Sequence, residues 1–403
     1  MPSSSCPRSA ALCTFDPSRE RGTVVTHVPV RPEMIGWALE RSRMDPESAK
    51  YPQFRRWADG DEAPTFRQLE TFARAAHVPL GYLFLPRPPR EEVPIPDLRT
   101  IGDAGVRQPS PELLDTIHLA QRRQDWFRDH ARDRGQPELP FVGSVDADTD
   151  PLAVAAAIRS RLGFTVETRR RGDALRTAID LVEGLGVLVM VSGIVGSDTH
   201  RKLAIDEFRG FSLTDRRAPV VFVNGVDAKT AQLFTLMHEL AHVWAGRSAL
   251  SDVELDSPGV HAEERWANAV AAEVLVPRAD LEQAFEGDAG LSSIELLTAR
   301  YRVSALVVLH RLFDTGLLPW DEFRQRYLAE EARGRELADL EVDGRSDGGN
   351  YYNTHLRHIG HAFARGVIVD TLEGRTLYRD AFRLLGTRKH ATFTEMAERL
   401  GVA

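Results

Sequence analysis

The chain has 403 residues, 42% of them hydrophobic and 27% charged, with a formal net charge of −8. That length suits two or three globular domains with ample core, and the acidic balance excludes wholesale coating of nucleic acid while leaving room for a local basic patch. No run approaches the roughly 20 apolar residues of a membrane span, so no membrane partner is expected; two cysteines, Cys6 and Cys13, cannot form a disulfide framework and point to a reducing, cytoplasmic location.

Residues 1–26 hold Ser3-Ser4-Ser5 and a short Ala10-Ala11-Leu12 patch, too weakly apolar for a secretory signal, and read as a disordered tail. Residues 27–92 read as a small helical domain. Residues 32–41 are apolar at helical spacing behind Pro32, and Leu69, Phe72 and Ala73 mark a later helix that starts at Pro64-Thr65. Trp57-Ala58-Asp59-Gly60 and Pro64-Thr65 resemble the turn and helix start of XRE-type helix-turn-helix domains. The stretch 45–53, where a second helix and turn belong, is short and holds Pro46 and Pro52. Arg55 and Arg56 are the candidate DNA contacts, but Asp59, Asp61 and Glu62 beside them repel phosphates. Two readings stand side by side: a working DNA reader, or a helix-turn-helix fold kept for protein contacts.

Residues 93–149 read as a linker and connecting helix. Val93-Pro94-Ile95-Pro96-Asp97-Leu98-Arg99-Thr100 cannot be helical and is expected as an extended strap over a neighbouring surface. Ser110-Pro111-Glu112 caps a helix running to about Arg134, with Leu113, Leu114, Ile117 and Trp126 expected to be buried. Asp150-Pro151 opens another, closed by Gly163. Apolar runs at 187–191, 210–213 and 219–224 read as strands.

The last strand leads into the most informative stretch, His238-Glu239-Leu240-Ala241-His242. Histidines at i and i+4 share one helical face and can aim their nitrogens at one ion, and Glu239 stands beside them as a general base. The surrounding Leu233, Phe234, Leu236, Met237, Leu240, Val243 and Trp244 make the helix apolar on most of its circumference, hence buried. Two buried histidines and a glutamate without partners would cost several kcal/mol, which a metal ion relieves.

Residues 261–277 read as a second helix, with Trp266, Val270 and Val274 as its ridge and Pro277 as its end. Glu264 and Asn268 lie four apart on another face, an arrangement suited to a carboxylate ligand and an amide that holds a ligand histidine by its other ring nitrogen. His261 and Glu263 compete for the ligand role but lack a polar partner at i+4.

Phe234-Thr235-Leu236-Met237-His238-Glu239-Leu240-Ala241-His242, Glu264-Arg265-Trp266-Ala267-Asn268 and Leu275-Val276-Pro277 together resemble the ImmA/IrrE family of metallopeptidases. The resemblance covers roughly residues 150 to 320. It implies zinc (manganese is the alternative in the cell) bound by His238, His242 and Glu264, with Glu239 as catalytic base. It further implies limited proteolysis of a helix-turn-helix repressor, releasing stress-response, mobile-element or defence genes. The Pro-Asp-Leu-Arg-Thr strap also resembles a segment of long members. The alternative of a different class is a DNA-binding regulator or antitoxin-like component with a dormant peptidase site.

The expected fold is α+β and predominantly helical: a helix-turn-helix domain at 27–92, a zincin-like metallopeptidase domain with a small sheet at 150–330, a linker at 331–350 and a helical region at 351–403. Helices at 294–300 and 304–312 mimic a helix-turn-helix, but the second is too apolar for a DNA groove and the pair is expected beneath the metal site. His355, His358 and His361 invite a second metal site, but no carboxylate or cysteine accompanies them, so aromatic packing is the favoured role. An oxyanion donor remains open among His261, His310, Tyr351 and Tyr352.

Overall fold

The computed structural model describes residues 27–45, 51–97, 109–170, 172–251, 262–287, 289–341 and 351–402. The tail at 1–26, His261 and Leu98-Arg99-Thr100 lie outside the described residues. The chain divides into two compact units, Met1–Arg90 and Glu91–Ala403. Among the described residues, no helix is long and apolar enough to cross a membrane.

In the first unit, helices α1 (Pro32–Arg41), α2 (Gln53–Asp59) and α3 (Phe66–Ala75) and a 3-10 turn at Leu80–Phe84 enclose Met34, Phe54, Leu69, Phe72 and Leu83. Pro32 opens α1, where its missing N–H costs nothing. A reciprocal cap opens α3: the Thr65 N–H donates to Gln68 Oε1 (2.7 Å) and the Gln68 N–H to Thr65 Oγ1 (3.3 Å).

The second unit is α+β and mostly helical. After the strap come α4 (Pro111–Asp133), α5 (Pro151–Leu162), α6 (Val166–Arg170) and α7 (Ala174–Gly184). Strands β1 (Leu188–Ser192), β4 (Gly210–Leu213), β5 (Val220–Asn224) and β6 (Ala249–Ser251) form a sheet in the order β1-β5-β4-β6, while β2 (Ile194–Val195) and β3 (Asp198–Lys202) make a separate hairpin. β1 and β5 run parallel, and β4 is antiparallel to both its neighbours. Between β5 and β6 lies α8 (Lys229–Trp244). It is followed by α9 (Ala262–Leu275), α10 (Arg278–Ala284), α11 (Leu291–Tyr301), α12 (Ala305–Asp314) and α13 (Trp320–Glu341). The chain closes with α14 (Tyr351–Ile359), α15 (His361–Leu372), α16 (Tyr378–Leu385) and α17 (His390–Arg399).

Period-2 alternation assigns the two faces of the sheet. Val189, Val191, Val221 and Val223 join one core with α5, α7, α8, α9, α11 and α12, whereas Leu188, Met190, Val220 and Phe222 join another with α4, α14, α15, α16 and α17. Both faces are therefore covered, and each strand of the four is buried throughout. The sequence pattern sets residues 351–403 apart; in the structure their helices supply the second of these two layers. Likewise the linker expected from residue 331 is helical through Glu341. Leu, Ala, Glu and Arg, all strong helix formers, dominate that stretch, and an Arg333–Glu330 ion pair supports it. Of the four apolar side chains expected to be buried in α4, Leu113, Leu114 and Ile117 are, while Trp126 is half-buried, stacked on the His130 ring at 5.1 Å.

The strap at 93–97 lies along β6. The Leu250 N–H donates to Pro96 O (2.9 Å), Asp97 forms a parallel bridge with Leu250, and Ile95 is buried in the second core.

Candidate metal centre

Helix α8 leaves the sheet within a few residues of β5, and its start is held by Gln232 Nε2 donating to Gly225 O (3.2 Å) and Asp227 O (2.6 Å). From Gln232 to Trp244 every residue is buried, so the apolar circumference read from the sequence corresponds to a central helix. It packs on α9, whose C-terminal carbonyls are met by three guanidiniums: Arg169 donates to Leu275 O (2.6 Å), Arg311 to Val276 O (3.0 Å) and Arg159 to Glu273 O. These contacts satisfy acceptors that a helix end leaves orphaned, and they fix the axial position of α9. Trp266 ties the first half of the same helix down by donating to Thr149 O (2.7 Å).

The two helices bring His238, His242 and Glu264 together, all at most 1% exposed. His238 Nε2 lies 3.1 Å from His242 Nε2 and 3.1 Å from Glu264 Oε2, and His242 Nε2 lies 3.3 Å from Glu264 Oε1. Among the described residues this is the one cluster of three or more His, Cys, Asp or Glu groups with metal-binding spacing. Ligand bonds of about 2.0–2.1 Å in a tetrahedron place neighbouring donors about 3.3 Å apart, so the triangle fits a small divalent ion. The His238 Nδ1–H donates to Asn268 Oδ1 (2.8 Å), which sets the tautomer and turns Nε2 toward the other two groups. Glu263, the competing carboxylate, is instead paired with Arg247 at 2.5 Å.

Electrostatics in this pocket follow from burial and proximity. Burial raises the Glu264 carboxyl, but His238 and His242 outweigh it and hold it at about 2. Burial lowers the His238 imidazole, yet Glu264 wins and raises it; for His242 burial wins. Glu239, fully buried, is pushed up to about 8 by burial, with His238 and the nearby Ser251 and Ser212 hydroxyls opposing, and no group among the described residues meets full hydrogen-bond geometry at either oxygen. Strand β4 passes close beside it: a Cβ built on Gly210 would stand 2.5 Å from Thr235 Cγ2, 2.9 Å from Phe222 O and 3.0 Å from Glu239 Oε1. Ser251, at the end of β6, reaches Glu264 Oε1 at 3.5 Å. Gly210 and Ser251 carry no signal in the sequence, since only strand pairing brings them to the helix.

Residues 182–313 match the IrrE N-terminal-like domain, a peptidase family model. The matched segment contains the four-stranded sheet, both site helices and all but the last residue of α12, and it supports a metallopeptidase-type function for this part of the chain. Residues 359–399 match a domain of unknown function. No curated protein matches the chain.

Other candidate residues lie elsewhere. Arg55 and Arg56 sit on α2 in the first unit, paired with Asp59 (3.5 Å) and Glu62 (3.2 Å), so nearby acids occupy them. His355 binds Leu385 O through Nε2 (2.7 Å) and stacks on Tyr351 at 5.5 Å, and burial lowers the His358 imidazole to about 4. His310 lies edge-on to Phe323 and Tyr327, and Tyr352 packs against the second core.

Proposed function

We propose that this chain is a zinc-dependent endopeptidase that makes a limited cut in a helix-turn-helix repressor. The observation that carries the reading is the triangle of buried donors at 3.1–3.3 Å with the fully buried Glu239 carboxyl beside it. His238, His242 and Glu264 would hold the ion, and Asn268 would orient His238. The ion supplies Lewis acidity toward a scissile carbonyl and makes a nearby water easier to deprotonate. Its positive charge also favours the ionised form of Glu239, whose carboxyl otherwise rests near 8. Ionised, Glu239 takes the proton of the attacking water and passes it to the leaving nitrogen. The repressor as substrate rests on the family resemblance, as does the release of stress-response, mobile-element or defence genes.

A second reading, a regulator with a dormant site, is favoured by the complete burial of His238 and Glu239. Cleavage requires an opening that admits a peptide to these groups. Glu239→Gln separates the readings. It conserves shape but cannot accept the proton, so it is expected to keep the metal and to leave a co-expressed repressor intact, as read by mass spectrometry. Repressor cleavage or gene release equal to wild type in that variant would exclude peptidase action as the mechanism.

A further inference from the structure

An open cleft of about 950 Å³ lies between the β2–β3 hairpin and α16, with Asp198, His200, Arg379, Phe382, Arg383 and Arg388 among its lining residues, one acid against three arginines. Its walls are held together: Ser197 Oγ donates to Gly386 O (2.9 Å). Gly386 has φ +68°, and a Cβ there would stand 2.7 Å from the same Ser197 Oγ, so the junction requires glycine.

The charges in this cleft differ from those around it. Arg201 pairs with Glu112 and Asp115, Arg375 with Asp370 and Glu373, and Arg399 with Glu395. Arg379 is bound only weakly, to the neighbouring Asp380 at 3.3 Å with both side chains exposed. Arg383, Arg388 and Lys389 are exposed and enter no ion pair among the described residues, although acids outnumber Lys and Arg 59 to 51 in the chain. Local helix preference accounts for Arg383, which lies in the last turn of α16, where a cation offsets the dipole. It does not account for Arg388 and Lys389. Lys389 is the N-cap of α17 and Arg388 precedes it, so both stand where positive charge destabilises a helix. Side chains kept against local preference mark a site with another use.

The row also has a direction. Arg379 and Arg383 are one turn apart, about 6 Å along α16, and Arg388, beyond the helix end, lines the same cleft, with Lys389 next to it in the chain. A single phosphate would need a closed pocket, whereas an open line of cations matches a chain of phosphates. Phe382 also lines the cleft, half-buried against Tyr378, His390 and Phe393, and the part of its ring left exposed is what a base can contact. We propose that this cleft binds single-stranded nucleic acid, with Arg379, Arg383, Arg388 and Lys389 along the phosphodiester backbone and Phe382 against a base. The site lies apart from the metal-centre residues and does not depend on peptidase action.

Fluorescence anisotropy of the full chain with a labelled mixed-sequence DNA strand of about 20 nucleotides tests it, with the duplex form as the second arm, between about 50 and 200 mM salt. Wild type should prefer the single strand and weaken steeply with salt. Arg383→Glu/Arg388→Glu/Lys389→Glu should lower affinity at least about tenfold and flatten the log–log salt slope by about 2, at roughly 0.7 for each phosphate no longer neutralised. Arg55→Glu/Arg56→Glu should bind as wild type. If the triple reversal alters the circular dichroism spectrum, Arg383→Gln/Arg388→Gln/Lys389→Gln serves instead and should flatten the slope equally. No binding by wild type at the lowest salt, duplex binding as tight as single-strand binding, unchanged affinity in the folded triple variant, or loss confined to the Arg55/Arg56 variant would each overturn the proposal.

Discussion

Replacing Asn268 by alanine tests the metal centre without touching a ligand. Asn268 Oδ1 accepts the Nδ1–H of His238 at 2.8 Å, between side chains 9% and 0% exposed. Truncation leaves a buried donor unmatched, which costs about 1–3 kcal/mol, and lets the imidazole rotate away from His242 and Glu264. Loss of such an outer partner typically weakens metal binding 10- to 100-fold, equivalent to about 1.4–2.7 kcal/mol. Competition with a chromophoric chelator gives the zinc affinity, and urea unfolding of the metal-free protein gives the stability loss separately. Asn268→Asp keeps an acceptor at the same place and should recover most of the affinity. Zinc affinity within twofold of wild type in a folded Asn268→Ala protein would refute the role given to this contact.

Burial raises the Glu183 carboxyl to about 7, and its Oε1 accepts the Ala362 N–H at 3.1 Å. The folded state therefore holds this proton when the unfolded state has released it. The stabilisation is full below the unfolded value near 4.5, and it is lost as pH rises through about 7, by at most about 3 kcal/mol. Glu183→Gln should flatten that part of the pH–stability curve in urea titrations, and an unchanged slope would contradict it. Gly210→Ala should cost about 1–3 kcal/mol through its clash with Thr235 Cγ2, and Thr235→Ser should recover part of it. Strict additivity of these two substitutions in calorimetry would count against the contact.

How much of this was legible in the sequence depends on the range of the contacts. The i, i+4 spacing of His238 and His242, the apolar wrapping of α8 and the runs at β1, β4 and β5 are local patterns, and each element formed where its pattern lies. That Glu264 and Asn268 face α8 could be suggested from their spacing, but the distances come from α8–α9 packing. Residues without such a local signature were not legible. Arg159, Arg169 and Arg311 are ordinary surface-type arginines in the sequence, yet they converge on one helix end from α5, α6 and α12. Helices α14–α17 looked separate because their amphipathic faces carry no label for what they cover, and here they cover the sheet. Arg383, Arg388 and Lys389, without ion pairs among the described residues, share this property: the order of charges along a chain does not say which of them find partners.

The proline strap has one more consequence. A sheet ends safely only when its last strand cannot recruit another, and β6 is the last of four. The strap laid along it is joined to β6 by Pro96 O, which accepts the Leu250 N–H, and by the Asp97 bridge, so a segment of the same chain occupies that edge. The strap thus covers a strand edge that another chain would otherwise find open, on the same strand whose Ser251 reaches Glu264, so the covered edge and the rim of the metal centre share three residues of backbone.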